Sequence, residues 1–187
     1  MSQKHSLITI GMPIYNEEKF LRQTIDSILA QDYQNFELII SDNASEDNTS
    51  QICQEYAAKD KRIRYYRNQT NLGAAENFKK VVELAQGEFF CWASGHDIRE
   101  KTFLSSCVKI LLQDESVVLC YPQAIWINTD NQSLGIIPNF YDTRGLDVLS
   151  RLNVVLWGTG YCYPIYGVLR SRILKQLNLA KKVIGPD

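Results

Sequence analysis

The sequence predicts an α/β sandwich, with a mostly parallel central sheet, helices on both faces and an antiparallel element in the second half. Two observations predict it. Short apolar, β-branched runs alternate with amphipathic helical patterns over about the first hundred residues, which implies right-handed parallel crossovers. After Val117 that alternation gives way to apolar stretches around a polar turn, the pattern of a hairpin.

Leu7 to Ile14 reads as a buried strand, closed by Asn16, a good helix N-cap. Glu17 and Glu18 suit the positive end of a helix, and Phe20, Leu21, Ile25, Ile28 and Leu29 give it one apolar face to about Gln31. Phe36 to Ser41 is a second strand. Ser45 to Asp47 form a capped start, and Ile52, Cys53, Tyr56 and Ala57 the face of a second helix. Ile63 to Arg67 is a third strand, followed by the loop Asn71-Leu72-Gly73. A third helix carries Phe78, Val81, Val82 and Ala85 and stops at Gly87, which suits a C′ position. Glu88 to Ala93 is a fourth strand and Phe103 to Gln113 a further helix. In the second half, Val117 to Ile127 and Leu134 to Ile137 flank the turn Asn128 to Ser133. Thr143 to Leu152 reads as a helix, Gly158-Thr159-Gly160 as a mobile loop, Tyr161 to Leu169 as a strand and Ser171 to Leu177 as a short helix.

Size and composition fit one globular domain: 187 residues, 45% apolar and 22% charged. The formal charge of −1 lacks the basic excess that nucleic-acid binding requires. Five cysteines, an odd number without a Cys-x-x-Cys pair, sit mostly in apolar runs. They read as buried thiols in a reducing compartment. The opening apolar stretch is too short for a signal peptide, and no run reaches the roughly 18 to 20 apolar residues of a membrane span. A cytoplasmic protein is expected, with any membrane association peripheral. The chain reads as one domain, with a first half over about 1–100 and a second over about 101–187. It stops at Gly185-Pro186-Asp187 as if truncated within the domain.

Open parallel sheets bind ligands beyond the carboxyl ends of their strands. That rule gathers Tyr15, Asn16, Asp42, Asn43, His96 and Asp97. A carboxylate at an apolar strand end has to be solvated, paired or bound to a cation. Asp97 suits a hard divalent ion shared with substrate phosphates, and equally the cap of the following helix. Asp42 suits a hydrogen bond from a base or ribose, while Asp42-Asn43-Ala44-Ser45 is also good turn chemistry. Tyr15 offers a stacking face or an ordinary wall. His5 reads as an exposed terminal residue.

In order and context, these segments resemble the family 2 glycosyltransferases of the GT-A fold. Pro13-Ile14-Tyr15-Asn16-Glu17 matches the family's Pro-x-Tyr-Asn-Glu strand end, and Ser41-Asp42-Asn43-Ala44-Ser45-Glu46-Asp47-Asn48-Thr49 its acidic turn. Asn71-Leu72-Gly73 matches its Asn-x-Gly loop, and Ala85-Gln86-Gly87-Glu88-Phe89 the approach to its fourth strand. Tyr166-Gly167-Val168-Leu169-Arg170 matches a late element. Each motif is weak alone; together they cover nearly the whole chain.

The resemblance implies a three-layer α/β/α sandwich. It also implies transfer of a sugar from a nucleotide-diphosphate sugar, UDP-linked by preference, to a saccharide or glycolipid hydroxyl. Pro13, Tyr15, Glu17, Asp42, Asn71 and His96 would then bind the donor, and Asp97 the Mn²⁺ or Mg²⁺ ion. Asp187 would be the base of an inverting reaction. One departure stands out: Gly95-His96-Asp97 carries an imidazole where many members have a second acid, so His96 adds no negative charge to the metal site. Two other classes stay in view. A nucleotidyltransferase would need a Gly-rich basic loop after the first strand, where this chain has Tyr15-Asn16-Glu17-Glu18. A non-catalytic nucleotide-sugar-binding module is compatible with the altered metal motif. A dehydrogenase lacks its Gly-x-Gly-x-x-Gly here. Trp126, Tyr141, Trp157, Tyr161 and Tyr163 suit stacking on acceptor sugars or packing in the core.

Overall fold

The computed structural model describes residues 6–138, 141–154 and 163–176. Four strands lie parallel: β1 (Ile8–Ile14), β2 (Phe36–Asp42), β3 (Ile63–Arg67) and β4 (Phe89–Trp92). Between them run the helices α1 (Leu21–Leu29), α2 (Thr49–Lys59) and α3 (Ala74–Glu83), with α4 (Phe103–Gln113) after β4. Two late strands complete the sheet in the order β3-β2-β1-β4-β8-β5, where β5 is Leu119–Cys120 and β8 is Val168–Arg170. β8 is antiparallel to both its neighbours. β6 (Ile125–Ile127) and β7 (Ser133–Ile136) form a separate antiparallel pair.

Strand alternation divides the core between two faces. Ile8, Ile10, Met12 and Ile14 of β1 pack with Leu21, Ile25 and Ile28 of α1, Ile52 and Cys53 of α2, and Leu104, Cys107 and Leu111 of α4. On the opposite face, Ile39, Phe90 and Trp92 meet Val81 and Val82 of α3 and Leu174 of α6 (Ser171–Gln176). Three layers result. Among the described residues, no helix is long and apolar enough to cross a membrane.

Several local expectations are corrected. Asn16 is not the cap of α1: the helix begins at Leu21, and Asn16 sits at φ 55°, its side chain turned to the β2–α2 loop. Asparagine tolerates that left-handed conformation, so a cap-forming residue type is used as a turn. The start expected at Ser45 to Asp47 moves to Thr49, whose N–H donates to Asp47 Oδ1 at 2.9 Å. Gly87 is not a helix C′ residue, because α3 ends at Glu83. A Cβ at Gly87 would meet Thr9 N at 2.5 Å and Leu7 O at 2.8 Å, so glycine serves the close approach to β1. The hairpin is shorter than its sequence pattern, because Leu119–Cys120 joins the main sheet instead. The stretch expected as one late strand forms a 3₁₀ turn at Tyr163–Tyr166 before β8; Pro164 supplies no N–H for a ladder. The late helix is α5 (Val148–Asn153). The loop expected at 158–160, Trp157, Tyr161 and Asp187 lie outside the described residues.

Candidate functional site

Register places the site. Ile14, Asp42 and Arg67 are aligned across β1, β2 and β3, so Tyr15, Asn43 and Asn68 form a row beyond the rim. The chain continues the ladder there: Asn43 N–H donates to Ile14 O at 2.9 Å and Asn68 N–H to Asp42 O at 2.8 Å. On the other side of β1 lies β4, followed by Ser94, Gly95, His96 and Asp97. β2 and β4 flank β1 at about two strand spacings, roughly 10 Å, from each other, β2 ending level with Ile14 and β4 level with Gly11.

The loops after β1 and β2 are tied directly. Asn16 N–H donates to Ser45 Oγ at 3.0 Å, Glu46 N–H to Asn16 Oδ1 at 2.9 Å and Glu17 N–H to Thr49 Oγ1 at 2.8 Å. Glu18 Oε2 accepts from the backbone and side chain of Asn48 at 2.9 and 2.8 Å. The β1 and β4 loops meet through Glu17 and His96, whose Nδ1 lies 3.0 Å from each Glu17 carboxylate oxygen. That hydrogen bond raises the His96 pKa above its ordinary value, against the opposing effect of burial.

Each expected site residue can now be placed. Pro13 is half-buried at the end of β1, and Tyr15 beside it is 41% exposed. Asn71, His96 and Asp97 are exposed, and Glu17 is half-buried under His96. Asp42 differs: it is 0% exposed. Its Oδ1 accepts from Ser45 N–H at 2.8 Å, and its Oδ2 accepts from the Tyr65 hydroxyl at 2.8 Å with Arg67 Nε at 3.7 Å. This carboxylate holds the turn that carries Asn43 and Ser45. Tyr141 and Tyr163 gather on Tyr121, by a 3.0 Å bond from the Tyr121 hydroxyl to Tyr141 O and an edge contact of 5.8 Å between rings. Trp126 is 49% exposed on the separate β6–β7 pair.

The structure adds Asn68 and Asn77, which motif reading passed over, and gives Asn43 a structural role. Asn43, Asn68 and Asn77 are buried and hydrogen-bonded into a network that reaches Asn71. Asn43 and Asn68 follow strand ends, where asparagine reads as turn chemistry, whereas Asn77 lies inside α3 with nothing in sequence to mark it. At the β4 end, Trp92 Nε1 and Ser94 Oγ are buried without a hydrogen-bond partner. Such groups are costly unless something else satisfies them.

A divalent ion fits this donor set only as a shared ligand. Among the described residues no three His, Cys, Asp or Glu side chains gather to hold a metal. Mg²⁺ and Mn²⁺ take oxygen ligands, and Mg²⁺ is commonly held by one or two carboxylates plus substrate phosphates, which Asp97 and a diphosphate would supply.

The sheet order, the three layers and the likeness to solved structures define a protein of the GT-A class. The chain belongs to glycosyl transferase family 2, whose family model matches residues 9–177. It is 30% identical over 113 residues to glycosyltransferase GlyG of Streptococcus pneumoniae, covering 60% of this chain and 38% of that protein. It spans less than half the length of the curated relatives it matches first. The fold also matches S. aureus TarS 1–349 in complex with UDP-GlcNAc, with TM-score 0.64 and 18% identity over 90% of this chain and 46% of that one. A mannosyltransferase from Pyrobaculum calidifontis in complex with GDP-Man and Mn²⁺ gives TM-score 0.65 and 19% identity, over 91% and 46% of the two chains.

Proposed function

We propose that the rim crevice binds a nucleotide-diphosphate sugar, UDP-linked by preference, and that the protein transfers its sugar to an acceptor hydroxyl with inversion. One observation carries this reading: the β1, β2 and β4 loops converge at one rim, joined on one side at Ser45 and Thr49 and on the other by the 3.0 Å Glu17–His96 contact. Tyr15 offers the base a stacking face, with Pro13 and Asn71 as further walls of the nucleoside pocket. Asp42 acts on the base through the turn it holds, since its own oxygens are occupied within the protein.

His96 and Asp97 face the diphosphate. Asp97 would hold the divalent cation, which when bound offsets charge on the departing diphosphate. Asp187 is proposed as the base that takes the acceptor proton. The acceptor is a saccharide or glycolipid, presented to the half after residue 100. The free thiols of Cys53, Cys91, Cys107 and Cys120 support a reducing, cytoplasmic setting.

The test is a thermal-shift titration with UDP, GDP and dTDP, with and without Mn²⁺. Ligand at a hundred times its Kd stabilises by roughly 2.7 kcal/mol. UDP with Mn²⁺ is expected to give the largest shift, and Asp97→Ala to abolish its metal-dependent part. No shift with any nucleoside diphosphate, metal or not, rejects the reading. Binding without donor hydrolysis or transfer in the longest available form of the protein would favour a non-catalytic binding module.

A further inference from the structure

Asn77 lies on α3, is 3% exposed, and spends its whole amide on the carboxyl ends of the strands. Its Nδ2 donates to Ser41 O at 2.9 Å and to Ile14 O at 3.4 Å. Its Oδ1 accepts from Ser41 Oγ at 2.7 Å and from Asn68 Nδ2 at 3.3 Å. Asn68 Nδ2 also donates to Asn43 Oδ1 at 2.9 Å, and Asn43 Nδ2 donates to Asn71 Oδ1 at 2.7 Å. Lys80, one turn along α3, donates to Asn68 Oδ1 at 2.5 Å. A continuous chain of amides therefore runs from beneath the sheet rim to the exposed Asn71.

Every group that Asn77 touches stands directly before or beneath a rim residue. Ile14 precedes Tyr15, Ser41 precedes Asp42, and Asn68 holds Asn43. One side chain thus fixes the ends of β1 and β2 and the loop after β3 to a single helix. Buried amides in a fully satisfied network specify one geometry, because each alternative leaves a polar group unpaired.

We propose that Asn77 is a positioning residue for the donor nucleoside, setting the separation between Tyr15 and the Asn43–Asn71 turn without touching the ligand. The inference rests on the reading that this rim binds a nucleoside diphosphate. It adds a residue that none of the strand-end motifs contains, acting from the helix layer below.

The experiment measures the Kd for UDP with Mn²⁺ present, alongside thermal midpoints, in wild type, Asn77→Ala, Ser41→Ala and Val81→Ala. Val81 is fully buried on the same helix, one turn on, and packs against Phe90 and Trp92 in the second core. Its truncation loosens α3 while sparing the amides. Asn77→Ala is expected to raise Kd about tenfold, the equivalent of roughly one lost hydrogen bond to a buried group. Ser41→Ala, which deletes only the 2.7 Å bond, is expected to raise Kd about threefold. Val81→Ala is expected to lower the midpoint as much as Asn77→Ala with Kd unchanged. Wild-type binding with unchanged Kd in Asn77→Ala overturns the role of Asn77 alone, as does an equal loss of affinity in Val81→Ala. If Asn77→Ala does not fold, an unchanged Kd in Ser41→Ala overturns it. Wild type that binds no nucleoside diphosphate removes the nucleotide reading, and this inference with it.

Discussion

The Tyr65 hydroxyl donates to Asp42 Oδ2 at 2.8 Å, one strand over, where the carboxylate is fully shielded from solvent. Burial, together with that carboxylate, pushes the Tyr65 phenol above its ordinary pKa, so the hydroxyl keeps its proton for Asp42. Tyr65→Phe leaves Oδ2 with Arg67 Nε at 3.7 Å as its charged neighbour. A buried acceptor left short of a partner costs about 1–3 kcal/mol. For a chain of this size that corresponds to a midpoint fall of roughly 2–4 °C per kcal/mol. An unchanged midpoint in Tyr65→Phe would mean that Asp42 does not rely on this bond.

Gly11 lies in the middle of β1, under α3. A Cβ there would come within 2.7 Å of Phe90 Cζ and 2.8 Å of Val81 Cγ2. Gly11→Ala should therefore destabilise by overpacking, on the order of 1–3 kcal/mol. The clash is shared between Phe90 and Val81, so Val81→Ala in the same chain should recover part of the loss. Denaturant midpoints of the two single variants and the double variant decide it; strict additivity would show that the two sites do not meet.

How much of this was legible in the sequence follows from the range of each interaction. β1, β2, β3, β4 and α4 were readable because a buried strand or an amphipathic helix carries its own periodicity. The second half was less so. β8 is three residues long and finds its place only by pairing with β4 and β5. At the rim, residue types were visible and their roles were not. Asn16 carries a cap signal, yet the contact that decides its conformation is with Glu46, thirty positions on. Nothing near Asp42 in sequence announces Tyr65 as its partner. The Glu17–His96 contact joins positions 79 apart. Asn43 and Asn68 looked like ordinary turns, and Asn77 like any polar position of a helix.

His96 stands next to Asp97, the proposed metal ligand, and its bond to Glu17 occupies the neighbouring carboxylate. His96→Asp adds one negative charge and frees Glu17. Divalent-ion affinity follows ligand charge count, so the variant should bind Mn²⁺ several-fold more tightly in the presence of UDP. Titration calorimetry checks this. Equal or weaker Mn²⁺ binding in His96→Asp would show that the imidazole is not what limits the site.

Cys53 and Cys91 are both fully buried, and burial pushes their thiols up to about 12 and about 11. The thiolate is the reactive form, so at neutral pH neither should react with a disulfide reagent while the protein is folded. Labelling followed by peptide mass analysis is expected to find both unmodified until denaturant is added. Rapid labelling of either in native buffer would contradict their place in the core.

Acid should weaken the fold partly through Asp60. Arg62 binds its carboxylate twice over, Nη2 to Oδ2 at 2.7 Å and Nε to Oδ1 at 3.0 Å, and Arg62 N–H adds a third bond at 2.9 Å. These bonds, the guanidinium foremost, hold Asp60 below the usual carboxylate range against partial burial. A carboxyl with a depressed folded pKa stabilises the native state above its unfolded pKa, about 3.9, and loses that contribution as pH falls through the folded value. Asp60→Asn cannot titrate. The variant should be less stable than wild type at pH 7, and the gap should narrow as pH drops below about 4. Urea midpoints at pH 7, 5, 4 and 3 test this; a gap that stays constant to pH 3 would show that the Asp60–Arg62 pair makes no pH-dependent contribution.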